Sequence, residues 1–407
     1  MKPMGPIPAD FEHRDGALLI GGRTADALAT EAGETPLFVY DMAMVERRVQ
    51  RFRRAFPSIA LHYALKANPF VDLVKRTAPL VDGIDIASIG EAWVALGAGV
   101  KPECLSFAGP GKRDGELELA IARGVPITLE SEGEADRVFA IARKTGAVPQ
   151  LAVRVNPTFE LKGSGMRMGG GAKPFGVDAD RVPSLVRRIV DTGADFRGFH
   201  IFAGSQSLDA DAIVEAQAAT IALAAKLSEA AEVRPPRLNL GGGFGIPYFG
   251  GDKSLDIQRI GVALEQGYAD RPKVLRETGF CLELGRWLVG EAGAYLTRVV
   301  DRKESGGQTF LIVDGGLHHQ LAASGNFGTV VRRNYPLALA NRVAAEPDEV
   351  VNVCGCLCTP LDRLGEQVAL PRAVVGDLIA VFCAGAYGAT ASPTAFLGHG
   401  PAREILV

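Results

Sequence analysis

A lysine closes a short apolar run in His62-Tyr63-Ala64-Leu65-Lys66-Ala67-Asn68-Pro69. Ile59–Tyr63 reads as a strand, and Asn68-Pro69 ends it before a helical pattern begins. An ammonium at the end of a buried strand loses its hydration unless it is paired or chemically used. Desolvation lowers an amine's pKa and makes it a nucleophile toward aldehydes, so Lys66 suits a Schiff base. The plainer alternative is a strand-end lysine that reaches solvent.

Other candidates lie downstream. Asn239-Leu240-Gly241-Gly242-Gly243-Phe244-Gly245 follows a strand pattern. Successive glycines let backbone N–H groups approach an anion with no Cβ in the way, a cradle suited to phosphate. A tight turn needing positive φ is the alternative. Glu283-Leu284-Gly285-Arg286 ends a further strand. Its carboxylate and guanidinium form either a plain ion pair or, turned inward, a partner for a ring nitrogen and a contact for phosphate. His200 ends the sixth strand, Arg154 lies on the fifth and Ser205 follows the sixth, and a flat imidazole at position 200 can stack on a cofactor ring.

The elements that must position these residues follow from periodicity. A short apolar strand, a turn and an amphipathic helix repeat about eight times between residues 59 and 285. Strands are expected at Ile59–Tyr63, Gly83–Ala87, Cys104–Ala108, Ile127–Glu130, Leu151–Asn156, Arg197–Phe202, Arg237–Leu240 and Cys281–Leu284. Helices are expected at Glu91–Ala98, Gly115–Ala122, Glu132–Lys144, Pro183–Asp191 and Ala210–Ala231. The fold class is α/β, with the repeat count of a (β/α)8 TIM-type barrel. An open doubly wound sheet shares the same pattern. Beyond residue 290 the helical period fades, and Ala294–Lys303, Gln308–Asp314, Glu349–Val353 and Ala373–Cys383 read as strands. The expected division is a barrel over 36–285 and an all-β domain of 1–35 plus 286–407. The glycine-rich stretch Lys162–Gly171, after the fifth strand, is a candidate active-site flap.

Composition narrows the function. With 407 residues the chain can bury a large core, and a net charge of −3 argues against a general nucleic-acid or anionic-membrane surface. The start MKPMGPIPADFEH has no apolar core of signal-peptide length, and no run is long enough to span a membrane, so a cytoplasmic location is expected. In that compartment the six cysteines are expected as free thiols. Cys354, Cys356 and Cys358 alternate with the wrong spacing for a zinc knuckle, and no histidine lies near them in sequence, so no metal is expected. The strand ends also lack the His/Asp/Glu cluster of a metal-dependent barrel enzyme.

Seven ordered motifs, HYALKANP, RVNP, HIFAGSQ, NLGGGFG, ELGR, CGCLCTPLD and AGAYG, span nearly the whole chain. Their order resembles fold type III, the alanine-racemase-like PLP-dependent decarboxylases, which include the diaminopimelate and ornithine/arginine decarboxylases. The resemblance implies a barrel that binds pyridoxal 5'-phosphate, a β-domain, and a homodimer with shared active sites. It implies Lys66 as the Schiff-base lysine, His200 as the ring-stacking residue and Glu283 as the partner of the pyridine nitrogen. Ser205, Gly241, Gly242, Gly243, Arg286 and Tyr387 match phosphate-holding positions, and Asp85 and Arg154 match positions near the ring. Cys358 matches the cysteine that a partner subunit delivers to return a proton to Cα. Glu283 argues against a racemase, which sets an arginine against the nitrogen.

Two departures bear on substrate. Diaminopimelate and ornithine decarboxylases follow the cysteine with an acid that meets a distal amine, whereas Thr359-Pro360 stands here. The Arg-Pro that binds a distal carboxylate in diaminopimelate decarboxylases is replaced within the run from Asp314 to Asn326. LHHQLAASGNFG with CTPLD is similar to the branch acting on an acidic amino acid tethered to an acyl carrier protein, and to relatives beside exosortase-type gene clusters. An amide or thioester would suit Thr359, His318 and His319. The alternatives are a decarboxylase of free diaminopimelate, lysine, ornithine or arginine, and a catalytically silent PLP-binding homologue.

Overall fold

A computed structural model describes residues 1–163, 165–325 and 332–407. Ser164, within the candidate flap, and Asn326, at the end of the run from Asp314, lie outside the described residues. The chain divides into two compact units: residues 48–245 with 254–285, and residues 1–47 with 246–253 and 286–407.

The first unit is built on eight parallel strands: β1 (Ala60–Ala64), β2 (Gly83–Ile86), β3 (Leu105–Phe107), β4 (Ile127–Leu129), β5 (Gln150–Asn156), β6 (Asp195–Ile201), β7 (Arg237–Asn239) and β8 (Gly279–Leu284). Each pairs with the next, and β8 pairs with β1 from Cys281↔Ala60 to Leu284↔Tyr63. That last ladder closes the ring and decides for the barrel over the open sheet. The strands are short and their apolar residues pack tightly: Leu61, Tyr63, Ile127 and Val153 are fully buried. Register slips in β6 between Phe196 and Gly198. Gly198 has φ +108°, and a Cβ there would lie 1.9 Å from the Arg237 carbonyl oxygen, so only glycine lets β6 approach β7.

Helices return the chain from each strand end, and two of them begin with the same device. Ser88 and Ser131 accept N–H bonds from Glu91 and Glu134 at 3.1 Å, capping Ile89–Gly97 and Glu132–Thr145. Glu91 and Glu134 reach back to the N–H groups of Ala87 (2.6 Å) and Glu130 (2.8 Å). These caps fix where β2 and β4 stop, and so where their terminal side chains emerge. The segment after β5 is fastened by backbone bonds: Met166–Arg167 pairs antiparallel with Gly204–Ser205, and the Met168 N–H donates to the Ala203 carbonyl at 3.1 Å.

The second unit is β-rich. Its sheet runs in the order Leu337–Leu339, Leu378–Val381, Gly293–Ser305, Gln308–Val313, Glu349–Cys354, Arg363–Leu370, with Leu37–Tyr40 against Gly293–Ser305 and Arg403–Leu406 against Leu37–Tyr40. Leu18, Ile20, Leu37, Val39, Leu296, Leu378 and Phe382 belong to one buried apolar cluster, to which the N-terminal strand Ala17–Ile20 contributes. The expected strand Ala373–Cys383 shrinks to Leu378–Val381, because the Asp377 carboxylate accepts the Val374 N–H at 2.7 Å and Gly376 turns at φ +97°. Among the described residues no helix is long and apolar enough to cross a membrane.

Candidate active site

Lys66 sits in the helical turn Leu65–Ala67 directly after β1. Its side chain is 48% exposed, so the desolvation expected for it is only partial in the single chain. Its amine lies 3.4 Å from Glu283 Oε1, at the end of β8. The other carboxylate oxygen, Oε2, lies 3.3 Å from His200 Nε2, on the penultimate residue of β6. Three strands thus place an amine, a carboxylate and an imidazole in one constellation. His200 is buried, and among the described residues neither ring nitrogen has hydrogen-bond geometry with a protein group. Burial pushes its pKa down against the opposing charge of Glu283, which keeps the ring neutral at physiological pH.

These groups line a cavity of about 270 Å³ together with Asp85, Arg154, Met168, Phe175 and Phe202. Asp85, in β2, is 3.1 Å from His62 Nδ1. Burial penalises its carboxylate, but the His62 and His200 rings and a hydrogen bond from Ser106 together outweigh that and hold Asp85 below the ordinary carboxylate range. Arg154, in β5, donates to Glu130 Oε1 at 2.9 Å and lies 4.9 Å from the centroid of Phe175. Glu130 also accepts the N–H groups of Gly109 (2.8 Å) and Gly176 (2.9 Å), so the arginine's anchor is itself fully held. Met168 belongs to the stretch read as a candidate flap, whereas Glu130, Phe175 and Phe202 were not among the sequence candidates. Glu130 directly follows β4, at the end of a predicted strand, where its buried position could have been suspected.

The glycine run after β7 is held in close backbone approach. Gly241 and Gly243 have φ of +66° and +87°, and a Cβ on Gly242 would fall 2.0 Å from the Glu283 carbonyl oxygen. Neither Gly242 nor Gly243 donates its N–H to another backbone group among the described residues. Ser205 lies nearby in sequence to His200, in the two-residue strand paired with Met166–Arg167.

The remaining candidates belong to the β-rich unit. Arg286 donates to the Tyr248 hydroxyl at 2.9 Å, packs over the Tyr387 ring at 4.7 Å, and its buried Nε has no partner among the described residues. Tyr387 itself adopts φ +56°, a conformation costly for a non-glycine residue. Cys358 is exposed and Thr359 half-buried. The next acid, Asp362, is buried and accepts the N–H groups of Leu317 (2.6 Å) and Leu357 (2.8 Å). His319 Nδ1 lies 2.9 Å from the Tyr295 hydroxyl and its Nε2 3.0 Å from the Gly400 carbonyl. His318 is fully buried, and burial with the neighbouring His319 and His399 rings pushes its pKa to about 4. Within one chain neither histidine is presented to a substrate, so the case for an uncharged substrate tail passes to Thr359.

A closed parallel barrel with a lysine, a glutamate and a neutral histidine at its mouth, plus a β-rich unit, defines a cofactor-dependent barrel enzyme of the aldehyde-condensing kind. Residues 42–290 match the family model "Pyridoxal-dependent decarboxylase, pyridoxal binding domain", and the chain belongs to that family of PLP-dependent decarboxylases. It is 38% identical over 387 residues to the L-glutamyl-(BtrI acyl-carrier protein) decarboxylase of Niallia circulans, covering 93% of this chain and 90% of that one. It is 34% identical over 392 residues to the diaminopimelate decarboxylase of Methanothermobacter thermautotrophicus, covering 93% and 88%. Among solved structures, diaminopimelate decarboxylase from M. jannaschii in co-complex with L-lysine aligns with TM-score 0.86 at 25% identity, covering 98% of this chain and 93% of that one.

The barrel residues fit pyridoxal phosphate on observations of their own: an accessible amine, a buried flat ring with unbonded nitrogens, and a glycine run that any Cβ would obstruct.

Proposed function

We propose that this decarboxylase acts on an acidic amino acid joined to an acyl carrier protein, rather than on a free diamino acid. The observation that carries the reading is Thr359. It follows Cys358 where relatives acting on diamino acids set an acid, and the next acid in sequence, Asp362, is spent on two backbone N–H groups. A substrate ammonium or carboxylate buried beside Thr359 would lack a countercharge, whereas an amide or thioester needs only a hydroxyl partner. The relative named for a carrier-bound glutamyl substrate supports the same reading.

When bound, pyridoxal phosphate supplies the electron sink for the carbanion left as CO₂ departs. Lys66 would hold it, its amine being the group that condenses with an aldehyde. Glu283, already 3.4 Å from that amine, would keep a proton on the pyridine nitrogen, and neutral His200 would cover one ring face. Gly241, Gly242, Gly243 and Ser205 would take the phosphate. Asp85 and Arg154 complete the wall, Arg154 being oriented by Glu130. Cys358, exposed in the single chain, is the proposed donor of a proton to substrate Cα, delivered by the partner subunit of a homodimer.

The PLP-loaded enzyme should be assayed for CO₂ release with glutamyl carrier protein, free glutamate, diaminopimelate, lysine, ornithine and arginine. The expected result is a kcat/KM for the carrier-bound substrate at least ~10²-fold above any free amino acid. Equal turnover of free diaminopimelate would overturn the reading and favour the diamino-acid alternative.

A further inference from the structure

We propose that the β-rich unit holds a zinc site made by His318, Cys356 and His399. One ligand atom from each of these residues lies within 4.8 Å of the other two, and Cys356 Sγ is 4.0 Å from His399 Nδ1. Two imidazoles and a thiolate suit a borderline-soft, redox-inert divalent ion, with a fourth position left to water.

The independent observation is His318. Its side chain is fully buried, yet neither ring nitrogen has a hydrogen-bond partner among the described residues. Buried polar groups are almost always bonded, and an imidazole left bare next to a thiol and a second imidazole is the arrangement an ion would complete.

The loops that carry the ligands are fastened at the neighbouring residues. Asp362 accepts the N–H of Leu317, next to His318, with one carboxylate oxygen and that of Leu357, next to Cys356, with the other. A Cβ on Gly316 or Gly355 would lie 2.3 and 2.1 Å from that same carboxylate, so both loops must carry glycine to close on it. On the third side, His319 Nε2 lies 3.0 Å from the Gly400 carbonyl, tying the residue after His318 to the residue after His399. Asp362 and His319 are therefore positioning residues for the three ligands.

Zinc bonds of about 2.1 Å to nitrogen and 2.3 Å to sulfur set tetrahedral ligand atoms roughly 3.4–3.6 Å apart. The three atoms need to draw in by about 1 Å at their longest edge, which exposed His399 can supply. Binding releases the thiol proton of Cys356 to solvent, and the thiolate sulfur forms the metal bond.

The test uses the full-length, PLP-loaded enzyme, stripped with a chelator and titrated with Co²⁺, then competed with Zn²⁺. About one Co²⁺ per chain is expected, with a thiolate-to-cobalt charge-transfer band and tetrahedral d–d bands that Zn²⁺ abolishes. Cys356→Ser should remove the charge-transfer band, and His399→Ala, a surface change that spares folding, should weaken Co²⁺ binding by more than ~100-fold. Cys354→Ser should leave the spectrum intact. Absence of cobalt binding by the folded wild-type protein, a charge-transfer band that survives Cys356→Ser, or unchanged affinity in His399→Ala would each overturn the proposal. None of these outcomes depends on decarboxylation, so they stand apart from the substrate assignment.

Discussion

Glu283 touches both chemical partners at the barrel mouth, the amine of Lys66 and the ring of His200, from the last turn of one strand. Glu283→Gln keeps the shape and removes the charge, so kcat should fall by on the order of 10²–10³-fold with little change in fold, checked by steady-state CO₂ release alongside circular dichroism. Glu130 works one step back. It is buried against Arg154, and although burial penalises its charge, Arg154 with Lys112 and the Gly109 N–H together outweigh that and hold its pKa below the ordinary glutamate range. A carboxylate depressed in the folded state stabilises the protein above its unfolded pKa, and that contribution is lost as pH falls through the folded value. Denaturant titrations should therefore show stability declining below about pH 4, and Glu130→Gln should flatten that decline. The same substitution leaves Arg154 buried without its anion, at a cost of roughly 3–5 kcal/mol at neutral pH, read from the denaturation midpoint.

The barrel depends on close approaches that glycine alone permits. Gly198→Ala would force a Cβ onto the Arg237 carbonyl at a positive φ, and should destabilise the protein by roughly 1–3 kcal/mol or more, measured as a lower Tm. The eight strands were legible because each is a short apolar run followed by a helical period. The helix Ala210–Ala231 matches its expected bounds because its period is long and Asp209 caps it. Leu37–Tyr40 and Arg403–Leu406 were not legible, since each is four residues long and is fixed as a strand by distant pairing, Arg403–Leu406 with Leu37–Tyr40 and Leu37–Tyr40 also with Gly293–Ser305. Lys66, His200 and Glu283 stood out as polar residues at strand ends. The His318, Cys356 and His399 cluster did not, because its members come from three loops with no metal-binding spacing, and only the fold gathers them.

At the scale of the whole molecule, the account requires Lys66 of one subunit to work with Cys358 of its partner. Lys66→Ala and Cys358→Ala, each inactive alone, should regain up to about a quarter of wild-type activity when unfolded and refolded together, since half of the dimers would then carry one intact site. No recovery would place both residues' function within one chain. Everything else rests on the amine of Lys66 bonding to an aldehyde cofactor. The most direct measurement is borohydride reduction of the protein incubated with pyridoxal phosphate, followed by peptide mass spectrometry. The account predicts a pyridoxyl phosphate adduct on Lys66 and none in Lys66→Ala, whereas a colourless protein with Lys66 unmodified after reduction would contradict it.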